Sequence, residues 1–292
     1  MPIRIKTIFR LLREAFQEWQ QDKVSVLAAA LAYYMVFSIT PLLVIAIAIV
    51  GAVFGQSKAQ NEILQQINNL VGSQGAGAIE IALRNASQPE ISSIASIISV
   101  LVLFIGASGV FTQLQEALNT VWRVKPKPSS GLRGIIRKRL LSFCMVLVLG
   151  ILLLLSLILS ALLSAFSKLD IIFVSDFLPV WRLLNSAISF GLVTLLVALI
   201  YKYLPDVTIR WKDVWVGAII TALLFNVGKY VLGLYLGGSS FGSAYGAAGS
   251  LIVFLAWVFY SAQILLFGAE LTQVYARKYG ANINPNRHSE RL

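Results

Sequence analysis

The chain holds one cysteine and one histidine in 292 residues, and only 13 aspartates and glutamates against 24 lysines and arginines. The single cysteine, Cys144, excludes an intrachain disulfide and a cysteine-based metal cluster, so the redox compartment cannot be read from it. A metal-dependent hydrolase needs several histidine or carboxylate ligands around its ions, and a metal-free one needs a paired general acid and base. A lone His288 and scattered acids supply neither pattern. No glycine-rich loop ends in Lys-Ser or Lys-Thr, so no ATP motor is indicated. The expectation is a chain that is not an enzyme and that needs no metal or cofactor.

What is present is apolar. Hydrophobic residues make up 58% of the chain, charged residues 13%, and the mean hydropathy is +0.79, far from a soluble globular average. Charge-free runs extend over Val24–Ser57, Ile91–Gln115, Leu140–Ser167, Leu183–Tyr201, Val214–Gly228 and Tyr230–Ala269, and a spanning helix needs about 20 apolar residues. The fold class predicted is therefore all-α, a polytopic integral membrane protein with six transmembrane helices near residues 26–54, 91–111, 140–165, 183–203, 214–236 and 249–269. They form a single domain over 1–280, followed by a polar tail at 281–292. The first apolar run has no small-residue cleavage site closing a short core, so it is expected to stay in the mature chain.

Lysine and arginine are retained on the cytoplasmic side. With the N-terminus inside, only Lys58, Arg84, Lys168 and Arg182 fall outside and only Lys229 falls within a span; the other basic residues face the cytoplasm, as do both termini. The net charge of +11 then meets anionic lipid headgroups, each contact contributing on the order of 1 kcal/mol. Nucleic-acid binding would need a concentrated basic surface and a recognition module, and neither is present. The partners expected are membrane lipids, with anionic headgroups at the cytoplasmic face, and a second copy or another membrane protein remains open.

Before the first span, Ile5, Ile8, Phe9, Leu12, Phe16 and Trp19 recur at helical spacing, which predicts an interfacial amphipathic helix over 3–20. Between Gly55 and Glu90, Ile63, Leu64, Ile67, Leu70 and Val71 and then Ile79, Ala82 and Leu83 predict two short amphipathic helices broken around "GSQGAG".

Four long stretches, "LAAALAYYMVFSITPLLVIAIAIVG", "LQEALNTVWRV", "YLPDVTIRWKDVWVGAIITALLFNVGKYVLGLYL" and "SAYGAAGSLIVFLAWVFYSAQILLFGAELTQVYA", resemble the YihY/BrkB family of bacterial inner-membrane proteins. The resemblance covers nearly the whole chain. It implies a multi-pass protein of the bacterial plasma membrane with roles in envelope integrity, serum resistance and lipid handling. The family has also carried a ribonuclease BN label, which Glu116, Asp206 and Asp213 without a second recognisable ligand do not support.

The residues that point to function are polar ones at bilayer depth, because such groups face a bundle interior or a water-filled cavity. Asn226, Lys229, Gly233 and Gly237 share one stripe of the fifth span, and Tyr260, Gln263, Phe267, Glu270 and Gln273 share one of the sixth. Each stripe has a bland reading: a lysine that snorkels outward, an amide that ties helices together. Glu116 closes a comparable stripe of the second span and can meet Glu270 at an inner vestibule. Pro41 interrupts the first span and is a candidate hinge. Gly233 and Gly237, like Gly242 and Gly246 in the uncharged stretch "GGSSFGSAYGAAGS", have the spacing that lets backbones approach, as a packed turn or as a re-entrant segment. Two function classes follow: a transporter or flippase-like protein for an anionic lipid or amphipathic envelope molecule, with Lys229, Asn226, Gln263, Glu270 and Glu116 along its pathway, or a non-transporting structural or interaction protein supporting the envelope.

Overall fold

A computed structural model of the chain describes residues 5–86, 93–127, 178–237, 248–280, 284–286 and 289–291, with isolated positions between 140 and 159. Apart from those isolated positions the third predicted span lies outside these residues, as does most of the stretch 237–250, including Gly242 and Gly246. The rest is mostly helical: α1 (Ile5–Gln21), α2 (Val24–Phe54), α3 (Gln56–Ala86), α4 (Ser93–Val121), α5 (Leu178–Tyr203), α6 (Trp211–Gly237) and α7 (Gly249–Tyr279). Among the described residues, Val24–Phe54, Ser186–Tyr203, Trp211–Leu232 and Gly249–Tyr279 are long and apolar enough to cross a membrane. They match the first, fourth, fifth and sixth runs read from the sequence. Their outward faces carry large apolar side chains, among them Val26, Phe37, Ile219, Leu223, Val231 and Phe259, the arrangement that a lipid solvent requires.

The helix boundaries follow from local chemistry. Lys23, in the left-handed region at φ 50°, separates α1 from α2. Gly55, at φ 86°, ends α2 while its N–H donates to Gly51 O at 2.8 Å. Gly72, at φ 80°, breaks α3 in two within the predicted "GSQGAG" interruption, a conformation that glycine adopts without steric penalty. Both halves of α3 pack inward: Ala59, Ile63, Val71, Ile79 and Leu83 are buried with Leu43, Ala46 and Val50 of α2 and Phe254 and Val258 of α7. The apolar faces predicted for this connection thus cover the bundle.

Pro41 sits inside α2 and removes the donor for Phe37 O. Gly106 of α4 lies against this spot: a Cβ there would be 3.1 Å from Pro41 Cγ and 3.8 Å from Phe37 O. Ser38 Oγ donates to Gly106 O at 2.6 Å. The proline region is therefore a close α2–α4 contact.

The seam between α6 and α7 is built from two reciprocal Gly-Thr pairs. Thr221 Oγ1 donates to Gly217 O at 2.8 Å and Thr272 Oγ1 donates to Gly268 O at 2.6 Å, each on its own helix. Each threonine also occupies the space left by the other helix's glycine. A Cβ at Gly217 would lie 1.7 Å from Thr272 Oγ1, and one at Gly268 would lie 1.8 Å from Thr221 Oγ1. Tyr201 of α5, fully buried, donates its hydroxyl to Leu265 O at 2.5 Å and lies 3.0 Å from Thr221 Oγ1. Small residues with satisfied hydroxyls are how helices associate where lipid offers no hydrophobic drive.

The basic segments gather at one end of the bundle. There β1 (Val124–Pro126) pairs with β4 (Ser289–Arg291), and β2 (Val207–Thr208) pairs with β3 (Asn284–Pro285), both antiparallel. Residues 284–286 and 289–291, read from the sequence as polar tail, are tied to the bundle. Asp206 is the knot: Gln115 Nε2 and Asn119 Nδ2 donate to its carboxylate at 3.3 and 3.0 Å, while Ser289 Oγ and Asn286 N donate to its carbonyl at 2.7 and 3.0 Å. Asp206→Ala leaves two buried amides without an acceptor, at a cost of about 1–3 kcal/mol. Limited trypsin digestion in detergent is expected to release the 278–292 end markedly faster from this variant than from wild type; unchanged digestion contradicts the knot.

Candidate functional site

The last third of α7 is enclosed on several sides. Leu271 and Val274 pack on Leu11 and Ala15 of α1, while Leu266 and Ala269 pack with Leu31 of α2, Leu118 of α4 and Ala218 of α6. This enclosure buries Glu270 to 1% exposure and Gln273, one turn on, to 6%. Asp22, in the turn between α1 and α2, faces Glu270 at hydrogen-bonding range, with Glu18 and Arg123 within electrostatic reach. Asp22 Oδ2, both Glu270 oxygens, Gln273 Oε1 and Gln263 Oε1 are all sealed from solvent, and none receives a hydrogen bond among the described residues; Trp122 Nε1 is likewise buried without an acceptor. Carboxyls and amides buried in this way cost several kcal/mol unless something satisfies them.

The neighbouring cations do not satisfy them. Arg123 pairs with Glu18; Arg277 pairs with Glu14 at 2.7 Å and Glu18 at 3.0 Å; Lys278 pairs with Glu14. These pairs clamp α1 to the ends of α4 and α7. Burial tends to raise the Glu14 carboxyl, but the hydrogen bonds from Lys278 and Arg277 hold it below its usual range. Asp22 goes the other way: burial raises it, against lowering by Arg123 and the Glu270 hydrogen bond.

Glu116, on α4, is exposed. Its neighbours Gln115 and Asn119 turn inward to Asp206, so the carboxyls beside Glu270 are Asp22 and Glu18. Asn226 Nδ2 donates to Ala222 O on its own helix at 2.9 Å. Lys229 is partly buried, and no described carboxylate pairs with it. It lies one and two turns beyond Phe225 and the buried Ala222 on the same face. The preceding Gly228 leaves room for Tyr260 of α7, whose hydroxyl would be 2.6 Å from a Cβ there. Ten residues separate Tyr260 from Glu270 along α7, about 15 Å of helix, with Gln263 between them. α7 thus carries buried polar groups at two levels, Gln263 and Glu270, while Lys229 follows, on α6, the glycine that packs on Tyr260. Gly233 and Gly237 occupy the last turns of α6.

Asp22 and Trp122 were absent from the sequence-derived candidates. Asp22 follows an amphipathic helix and looks solvated, and only the docking of α1 onto α7 brings it to Glu270; Trp122 ends an ordinary apolar stripe and is buried in the core. Among the described residues no group of three or more histidines, cysteines, aspartates or glutamates gathers as metal ligands would.

Comparison with known proteins places this geometry in a family. A UPF0761 membrane protein of Psychromonas ingrahamii is 29% identical over 285 residues, covering 92% of this chain and 88% of its own length. One from Tolumonas auensis is 28% identical over 269 residues, with 86% of this chain and 80% of its own covered. One from Acinetobacter baylyi is 26% identical over 279 residues, covering 93% of this chain but only 63% of its own. The chain spans about half to two thirds of the length of several such relatives. No solved structure matches the chain. The profile described as "Virulence factor BrkB" matches residues 15–292, which include the four helices long and apolar enough to cross a membrane, the Gly-Thr seam and the buried carboxyl pair, and the chain belongs to that membrane-protein family.

Proposed function

We propose that the chain is a multi-pass protein of the bacterial inner membrane, with six spans and both termini in the cytoplasm, that moves an anionic lipid or a similar amphipathic envelope molecule. One observation carries this reading: a buried, donor-poor set of carboxyl and amide oxygens, those of Gln263, Glu270 and Gln273, lies along α7. A purely structural bundle gains nothing from acceptors left without donors, whereas polar groups at bilayer depth serve ion and substrate pathways. In this reading exposed Arg10 and Arg13, beside exposed Phe9, Leu12 and Phe16, hold α1 at the inner headgroups, and Lys229 meets the anionic group partway across. The chain then acts as a carrier and not as an enzyme.

Purified protein in liposomes with a panel of labelled anionic and zwitterionic lipids tests this. Lys229→Met keeps the apolar stem and is expected to lower movement of the anionic cargo about tenfold to a hundredfold, the loss of one charge-assisted contact, while Lys229→Arg retains part. Equal rates for Lys229→Met and wild type would remove the pathway along α6. The hydrogen bond of Asn226 to its own helix would then favour the alternative, a non-transporting protein that supports the envelope through contacts with itself or a partner.

A further inference from the structure

Where α1, α2, α4 and α7 converge, a local cluster holds four acids and three bases. Glu14, Glu18, Asp22 and Glu270 face Arg123, Arg277 and Lys278. The three cations are engaged by Glu14 and Glu18. Asp213, at the start of α6, is paired with Arg210 at 3.1 Å. Asp22 and Glu270 are left facing each other at hydrogen-bonding range, with Asp22 Oδ2 and both Glu270 oxygens sealed and without a donor. Gln273, 6% exposed on the same face of α7, adds another unpartnered oxygen. Two carboxylates this close cannot both stay ionised in an apolar contact. A single proton resolves both problems: it supplies the missing donor and removes the surplus charge.

We propose that Asp22 and Glu270 form a proton-binding site, one carboxyl donating its O–H to the other, and that this shared proton holds the α1–α2 turn against α7. When the proton leaves, two negative charges face each other and the turn is driven off α7, which loosens the end of the bundle where the basic segments gather. The site stands by itself. Its use as the coupling step of a carrier rests on the transport reading above. Burial holds the Asp22 carboxyl above its ordinary value. An acid raised in the folded state favours the docked form while protonated and opposes it as pH rises through that raised value, the same direction as the proposal.

Infrared spectroscopy of the full chain in lipid nanodiscs reads the site directly. At neutral pH wild type is expected to show the C=O stretch of a neutral carboxylic acid, shifted in D2O. Asp22→Asn and Glu270→Gln should each abolish it, because an amide replaces the shared proton as donor, while Glu62→Gln on α3 should leave it intact. Hydrogen exchange of residues 5–23 should accelerate with pH beyond its intrinsic dependence in wild type but not in either amide variant. Absence of the band at neutral pH, or its survival in both variants, overturns the proposal; stabilisation by sodium without the band assigns the oxygens to a cation instead. Lipid movement measured on the same preparations separates the two claims. The band without movement leaves the proton site and removes the carrier, and movement without the band does the reverse.

Discussion

Gly268→Leu is expected to prevent accumulation of folded protein, and Gly268→Ala to lower its thermal stability sharply. A Cβ at this position would lie 1.8 Å from Thr221 Oγ1, 2.6 Å from the Tyr201 hydroxyl and 3.0 Å from Thr221 Cβ. None of these atoms is free to retreat. Thr221 is held by Gly217 O and Tyr201 by Leu265 O, and threonine is stiff at χ1. Overpacking of this kind costs about 1–3 kcal/mol, more when hydrogen bonds are lost with the shift. Thermal unfolding in detergent checks it, with Gly191→Ala as control because nothing lies within 4 Å of a Cβ there. Thr221→Ala added to Gly268→Ala should recover part of the loss by removing the nearest clash. A Gly268→Ala variant that melts with wild type would mean that α6 and α7 are not packed through this seam.

Glu270→Gln is expected to raise thermal stability while abolishing function. The amide N–H gives Asp22 Oδ2, which no protein donor reaches, a fixed donor in place of the exchangeable shared proton, so the gain grows as pH rises and wild type loses that proton. Satisfying a buried acceptor is worth about 1–3 kcal/mol. Stability gained as activity is lost is the signature of a residue kept for function against its structural cost. A residue retained for packing or pairing would show the opposite: a destabilised variant, with activity falling only as far as the amount of folded protein.

The four helices long and apolar enough to cross a membrane were legible because such a helix must be apolar on every side over a fixed length, as the charge-free run Val24–Ser57 is. The break at Gly72 was legible as well, since glycine-rich punctuation between two amphipathic faces says that a helix stops. The helix predicted before the first span also occurs, as α1, with Phe9, Leu12 and Phe16 of the predicted stripe exposed, but it packs on α7 through Leu11 and Ala15, which lie off that stripe and are too few to set a period of their own. The Gly-Thr seam was invisible for a different reason. A single glycine within a span acquires meaning only from the side chain opposite, and Thr272 and Thr221 belong to the other helix. The conspicuous glycines of the "GGSSFGSAYGAAGS" stretch drew attention instead. Glu270 could be singled out as a charge at the end of an apolar run, but its partner Asp22 lies near the other end of the chain, where no periodicity connects them. The same distance hid Asp206, which joins α4 to the last residues through side chains that read as an ordinary polar loop.

The most direct test of the account is the rate at which a labelled anionic lipid crosses liposomes containing wild-type protein or Glu270→Gln at equal amounts of folded protein. Crossing well above protein-free liposomes with wild type, and at the protein-free rate with the variant, is the predicted result. Wild type indistinguishable from empty liposomes for every lipid offered, or Glu270→Gln as fast as wild type, would contradict it.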